Sequence, residues 1–124
     1  MAVTPERIRA VVEQYVELIG RGDADEIAGL YADGASLEDP VGREPLTGRE
    51  QIRKFYANLA GADISTRLFE VRICGNEAVF HFEVATRAGD ASYTVAPIDL
   101  MSFDEQGRIT SMRAFWSQTD MKVS

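Results

Sequence analysis

Three polar residues stand where the surrounding sequence is apolar, and each could do acid-base work. Tyr15 lies between Val11 and Val12 one helical turn before it and Ile19 one turn after. On a helix this centres it on the apolar face, where its hydroxyl must find a hydrogen-bond partner. Asp99 lies within Val95-Ala96-Pro97-Ile98-Asp99-Leu100-Met101, with apolar neighbours on both faces of an extended chain. Burying an ionised carboxylate without a partner is costly, so its pKa should rise toward a neutral, hydrogen-donating acid. Asp39 lies within Leu37-Glu38-Asp39-Pro40-Val41-Gly42, where the proline favours a strand end or turn. A carboxylate at such a rim can be partly desolvated yet reachable. Glu38 points the other way in an extended segment, so one of the pair can face a pocket while the other faces water. Each residue also has a structural reading: a core tyrosine bonded to backbone, a buried aspartate paired with arginine or a backbone donor, and an Asx turn feeding Pro40.

Other chemistries find little support. His81 is the single histidine and alternates away from Phe80 and Phe82, so it reads as an exposed strand residue with no nucleophile beside it. Cys74 is the single cysteine; its apolar stretch suggests a buried small hydrophobe. No Cys or His cluster offers a metal site, and no glycine-rich phosphate loop appears. The net charge of −7 disfavours nucleic acid and anionic membranes as partners. No apolar run approaches the roughly 20 residues that span a bilayer, and no signal peptide is visible. A cytoplasmic location is the expectation.

These residues need elements to hold them. The 124 residues, 45% of them hydrophobic, suit one domain spanning 1–124. A helix is predicted from Thr4 to Ile19, with Thr4 as N-cap, Pro5 at the first position, and Gly20 and Gly22 ending it. A short helix begins at Asp23, with Glu26 completing a capping box, and carries Ile27, Leu30 and Tyr31. A third follows Thr47 and turns Ile52, Phe55, Tyr56 and Leu59 inward. After Gly61 the apolar period becomes two. Strands are predicted over Ile64–Ile73, Glu77–Arg87, Ala91–Phe103 and Arg108–Gln118, with a hairpin at Gly75-Asn76 and a short early strand at Ala35–Glu38. Pro97 cannot donate to a ladder, so an edge or bulge is expected there. The fold class is α+β: three N-terminal helices on a curved, mostly antiparallel sheet, forming a conical barrel with a deep apolar pocket.

Taken together, these segments resemble the bacterial ketosteroid isomerases, the steroid delta-isomerases of the conical NTF2-like superfamily. The resemblance rests on Tyr15 in VVEQYVELI, on LYADGASLEDPVG, and on Gly48-Arg49-Glu50-Gln51-Ile52 leading to Phe55-Tyr56. Val95-Ala96-Pro97-Ile98-Asp99 and Met112-Arg113-Ala114-Phe115-Trp116-Ser117 complete it. It runs in order from Val11 to Ser117. Gly34 departs from it, standing where the family often carries a second Asp.

The resemblance implies roles. Asp39 would be the base, and Tyr15 with a protonated Asp99 would be the oxyanion donors; ketosteroid isomerases are themselves the standard illustration of this pattern, so it comes with the resemblance and not from spacing. Tyr56 and Tyr31 would form a hydrogen-bond network behind Tyr15. Independently of the resemblance, sheet alternation turns Phe82, Val84, Met101 and Trp116 inward, where they would line the pocket for a small apolar steroid or simply pack the core. The resemblance further implies a homodimer, and the chemistry needs no cofactor and no metal. Two other readings stand beside it. One is a cyclase or epoxide hydrolase of the same superfamily, although no inward arginine is evident for an Asp-Arg-Asp set. The other is a steroid-binding domain without catalysis.

Overall fold

The structure, a computed structural model, describes residues 2–124. Helix α1 (Pro5–Arg21) begins as its sequence demands: the Thr4 hydroxyl accepts the Arg7 N–H at 3.1 Å. Its buried stripe of Ile8, Val11, Val12, Tyr15, Val16 and Ile19 packs on the sheet. The helix continues through Gly20 and stops only at Gly22, which takes φ 65° and donates to the Ile19 carbonyl. A Cβ at Gly22 would lie 2.7 Å from the Leu59 carbonyl oxygen, so glycine is needed for close approach as well as for conformation.

Helix α2 (Ala24–Gly29) is capped by Asp23, whose carboxylate accepts the Glu26 N–H at 3.1 Å. Tyr31, expected on this helix, instead opens strand β1 (Tyr31–Glu38), which starts well before Ala35. The Leu30 carbonyl accepts Ile109 N at 2.9 Å, so pairing with a distant strand pulls this segment out of the helix. Gly34, at φ 73°, falls within the irregular register between Tyr31 and Ser36 and relieves a bulge there. The third helix follows Thr47 as expected, but with Gly48 between them. Thr47 lies in β2 (Leu46–Thr47), paired with β1, and Gly48 caps α3 (Arg49–Tyr56) without a side-chain bond. A 3-10 turn follows at Ala57–Leu59.

The remaining strands are β3 (Asp63–Cys74), β4 (Glu77–Ala88), β5 (Ala91–Val95), β6 (Ile98–Phe103), β7 (Ile109–Phe115) and β8 (Lys122–Val123). The single strand expected over Ala91–Phe103 is broken at Ala96-Pro97, because proline has no N–H for the ladder. Its two halves lie end to end along one edge of β4, β6 against Glu77–His81 and β5 against Val84–Ala88, while β3 takes the other edge. The strand expected to Gln118 ends at Phe115. Beyond β6 come β7, then β1 in parallel to it, then β2; β8 adds to β5.

The sheet curves but does not close. Its edge strands, β2, β3 and β8, do not pair with one another among the described residues, so the expected barrel is an open cone. Cys74 is exposed, against expectation. A bulge between Leu68 and Glu70 shifts the alternation by one residue, so Val71 and Ile73 turn inward and Cys74 outward.

Candidate active site

Helix α1 lies across the concave face with Tyr15 pointing into it. The Tyr15 hydroxyl is 3.1 Å from that of Tyr56, which is 2.7 Å from that of Tyr31. The three tyrosines come from α1, α3 and β1, and this chain of hydroxyls supplies the partners their burial requires. Phe80 and Phe82 on β4 hold the Tyr15 ring edge-on, with centroids 6.0 and 6.1 Å away. Burial pushes all three phenols well above their ordinary range, so they are neutral donors across physiological pH.

Asp99 sits on β6 between Phe80 of β4 and Ala114 of β7, and only 1% of it is exposed. Its Oδ1 has no hydrogen-bond partner among the described residues. Burial pushes its carboxyl well above the carboxylate range, and the nearby charge of Asp39 adds to this. A protonated Asp99 therefore presents an O–H donor in an apolar wall.

Asp39 follows the end of β1 and precedes a cis peptide bond to Pro40. Its Oδ1 accepts the Trp116 indole N–H at 2.7 Å. Burial raises its pKa, while the Trp116 hydrogen bond and the charge of Arg43 pull it partly back. The neighbouring Glu38 turns outward to Arg113, whose Nε donates to Glu38 Oε1 at 3.0 Å. The two carboxylates thus diverge, as alternation along an extended chain requires.

Tyr15, Asp39 and Asp99 line one cavity of about 240 Å³, together with Tyr56, Phe82, Val84 and Trp116. Ile19, Phe55, Leu59, Val95 and Pro97 complete its apolar wall, and Asn58 adds a polar side chain. Tyr31 stands behind Tyr56 and outside the lining. Met101, expected in the lining, is absent from it: it lies opposite Ala78 and Met112, where the cone is filled with core side chains. His81 is on the other face of the sheet, 5.0 Å from the Phe69 ring between centroids. Trp116 lines the cavity, and its bond to Asp39 goes beyond what the sequence led one to expect. The available signal was that an indole N–H is only a donor and seeks an acceptor when buried.

Residues 12–112 match the family described as the SnoaL-like domain. Over 117 residues the chain is 50% identical to a protein named Steroid Delta-isomerase from Nocardioides simplex, covering 94% of this chain and 95% of that one. The chain belongs to the ketosteroid isomerase family. A solved structure of SalBIII, described as an epoxide hydrolase/cyclase-like enzyme in pyran ring formation in polyether salinomycin, shares the fold. It superposes with a TM-score of 0.87 at 22% identity, covering 96% of this chain and 97% of that one. For this ketosteroid isomerase family member, the similarity to a steroid isomerase implies a small apolar substrate. Among the described residues, no helix is long and apolar enough to cross a membrane.

Proposed function

We propose that this protein is a steroid delta-isomerase that shifts the double bond of a β,γ-unsaturated 3-oxosteroid into conjugation, with Asp39 as its base. The proton between the carbonyl and the alkene is weakly acidic. Asp39 removes it, and negative charge collects on the carbonyl oxygen as a dienolate. The Tyr15 hydroxyl and the protonated Asp99 donate to that oxygen from an apolar wall, where preorganised donors act most strongly. Asp39 then returns the proton to the far alkene carbon. The proton leaves and comes back on one carboxylate, so the scheme requires no cofactor. Tyr56 and Tyr31 orient the Tyr15 hydroxyl, and Phe82, Val84 and Trp116 bound the flat apolar ring system.

The observation that carries this reading is the buried Asp99, its Oδ1 unpartnered among the described residues, lining the same cavity as Tyr15 and a second carboxylate. The near full-length identity to a protein named as a steroid delta-isomerase favours this activity over a cyclase, an epoxide hydrolase or a silent binding domain. The same reading takes residues 1–124 as one working domain in the cytoplasm, and takes the protein as a homodimer. The homodimer is supported by exposed apolar side chains on the outer sheet face, among them Val79, Ile98 and Phe115.

Mixing the protein with a β,γ-unsaturated 3-oxosteroid and following the ultraviolet absorbance of the conjugated enone tests the reading. Asp39→Asn should lower kcat by about 10²–10⁴-fold, the usual worth of a positioned base. Asp99→Leu should cost about 10²–10³-fold, the usual worth of an oxyanion donor. A folded wild-type sample with no turnover above buffer would overturn the assignment.

A further inference from the structure

Among the described residues Asp39 has a single side-chain bond, to Trp116, yet it must hold position over two carbons of a substrate. What holds its backbone lies next to it. Glu38 faces away from the cavity and uses both carboxylate oxygens. Oε1 accepts Arg113 Nε at 3.0 Å, and Oε2 accepts the backbone N–H of Gly42 at 3.0 Å. Glu38 and Arg113 are directly paired across the parallel β1–β7 ladder. Arg113 is itself held over the Phe115 ring, 5.3 Å from its centroid. The loop is further tied by Val41 N to the Ala114 carbonyl at 2.8 Å and by Arg43 N to the Pro40 carbonyl at 3.1 Å. Glu38 therefore closes the segment Asp39–Gly42 onto β7, the strand that leads into Trp116. One carboxylate joins the base-bearing loop to the strand that leads to Trp116, the base's side-chain partner.

We infer that Glu38, with Arg113 as its counter-ion, is a positioning residue for the proton transfer: it fixes the loop so that Asp39 is aimed into the cavity. The inference rests on the isomerase reading. A surface ion pair of this kind contributes little to global stability. Its value here is geometric, because displacing a reacting group by about 1 Å can cost up to about 10²-fold in rate. The oxyanion donors Tyr15 and Asp99 are on α1 and β6, outside this loop.

The test combines kinetics on the β,γ-unsaturated 3-oxosteroid with binding of a steroid bearing a phenolic first ring, which mimics the dienolate oxygen. Glu38→Ala removes both bonds, and its kcat should fall about tenfold or more while KM and the phenol's Kd stay within about twofold. Glu38→Gln keeps an acceptor for Gly42 and should retain more of the rate than Glu38→Ala. Adding Arg113→Leu to Glu38→Ala should cost no more than Glu38→Ala alone, since the two act as one unit. Glu38→Ala with wild-type kcat, or with kcat and phenol affinity lost together, would overturn this inference alone. A wild-type protein without turnover would overturn the isomerase reading and this inference with it.

Discussion

At the scale of single residues, the proposed mechanism turns on setting two carboxyl groups apart. Both are raised by burial, but Asp99 is the more deeply buried and also feels the charge of Asp39, while Asp39 is partly restored by Trp116 and Arg43. In that proposed mechanism Asp39 must be ionised to accept a proton, and Asp99 must be protonated to donate a hydrogen bond. Activity is therefore present above the pKa of Asp39 and below that of Asp99. A kcat/KM profile should have its acid limb above the ordinary aspartate range and fall again on the alkaline side. The two apparent values belong to the coupled pair. Trp116→Phe removes a bond that favours ionised Asp39, so its acid limb should move to higher pH. An acid limb at the ordinary aspartate value would contradict the burial of Asp39.

At the scale of elements, the cavity depends on how α1 ends. Gly22 stops the helix in a left-handed conformation and touches the backbone at Leu59, which lines the cavity. Gly22→Ala combines an unfavourable φ with a backbone clash and should destabilise by about 1–3 kcal/mol in urea unfolding. Gly29 is a useful contrast: it is helical, and a Cβ there would meet nothing within 4 Å. Gly29→Ala should stabilise by about 0.4–1 kcal/mol through the unfolded chain. Equal effects at the two positions would show that the close approach at Gly22 carries no energy. On the opposite wall, the break at Pro97 lets β5 and β6 follow β4 in succession, and Pro97 and Val95 then line the cavity beside Asp99.

At the scale of the whole molecule, the buried acid links stability to pH. The folded-state pKa of Asp99 is raised above its unfolded value of about 4. Its contribution is fully present below the unfolded value and is lost as pH rises through the folded one. Relative to Asp99→Asn, which does not titrate, wild type should lose unfolding free energy between about pH 4 and the folded-state pKa of Asp99, as measured by urea titrations at stepped pH. The outer sheet face sets a second global property. Ile98 is 45% exposed and is paired directly with Phe115, itself 44% exposed, and this apolar face suits a second copy of the chain. Ile98→Glu should convert a sedimenting dimer to a monomer; a wild-type monomer at micromolar concentration would remove the homodimer from the reading.

Much of this protein is legible in its sequence because local rules act over a few residues. The cap at Thr4, the Asp23 cap with Glu26, the inward stripe through Tyr15 and the inward face of Ala78, Phe80 and Phe82 all follow from period and capping chemistry. The odd placing of Tyr15, Asp39 and Asp99 in apolar surroundings was likewise visible one segment at a time. Long-range pairing decided the rest. Tyr31 left its helix because Leu30 bonds to Ile109, and Cys74 turned outward because a bulge opposite β4 shifted the register. Trp116 meets Asp39 across 77 residues of chain, and Tyr15 meets Tyr56 across 41. Periodicity tells which way a side chain points, but which side chains share a cavity is settled only when the sheet curves and distant strands choose their neighbours.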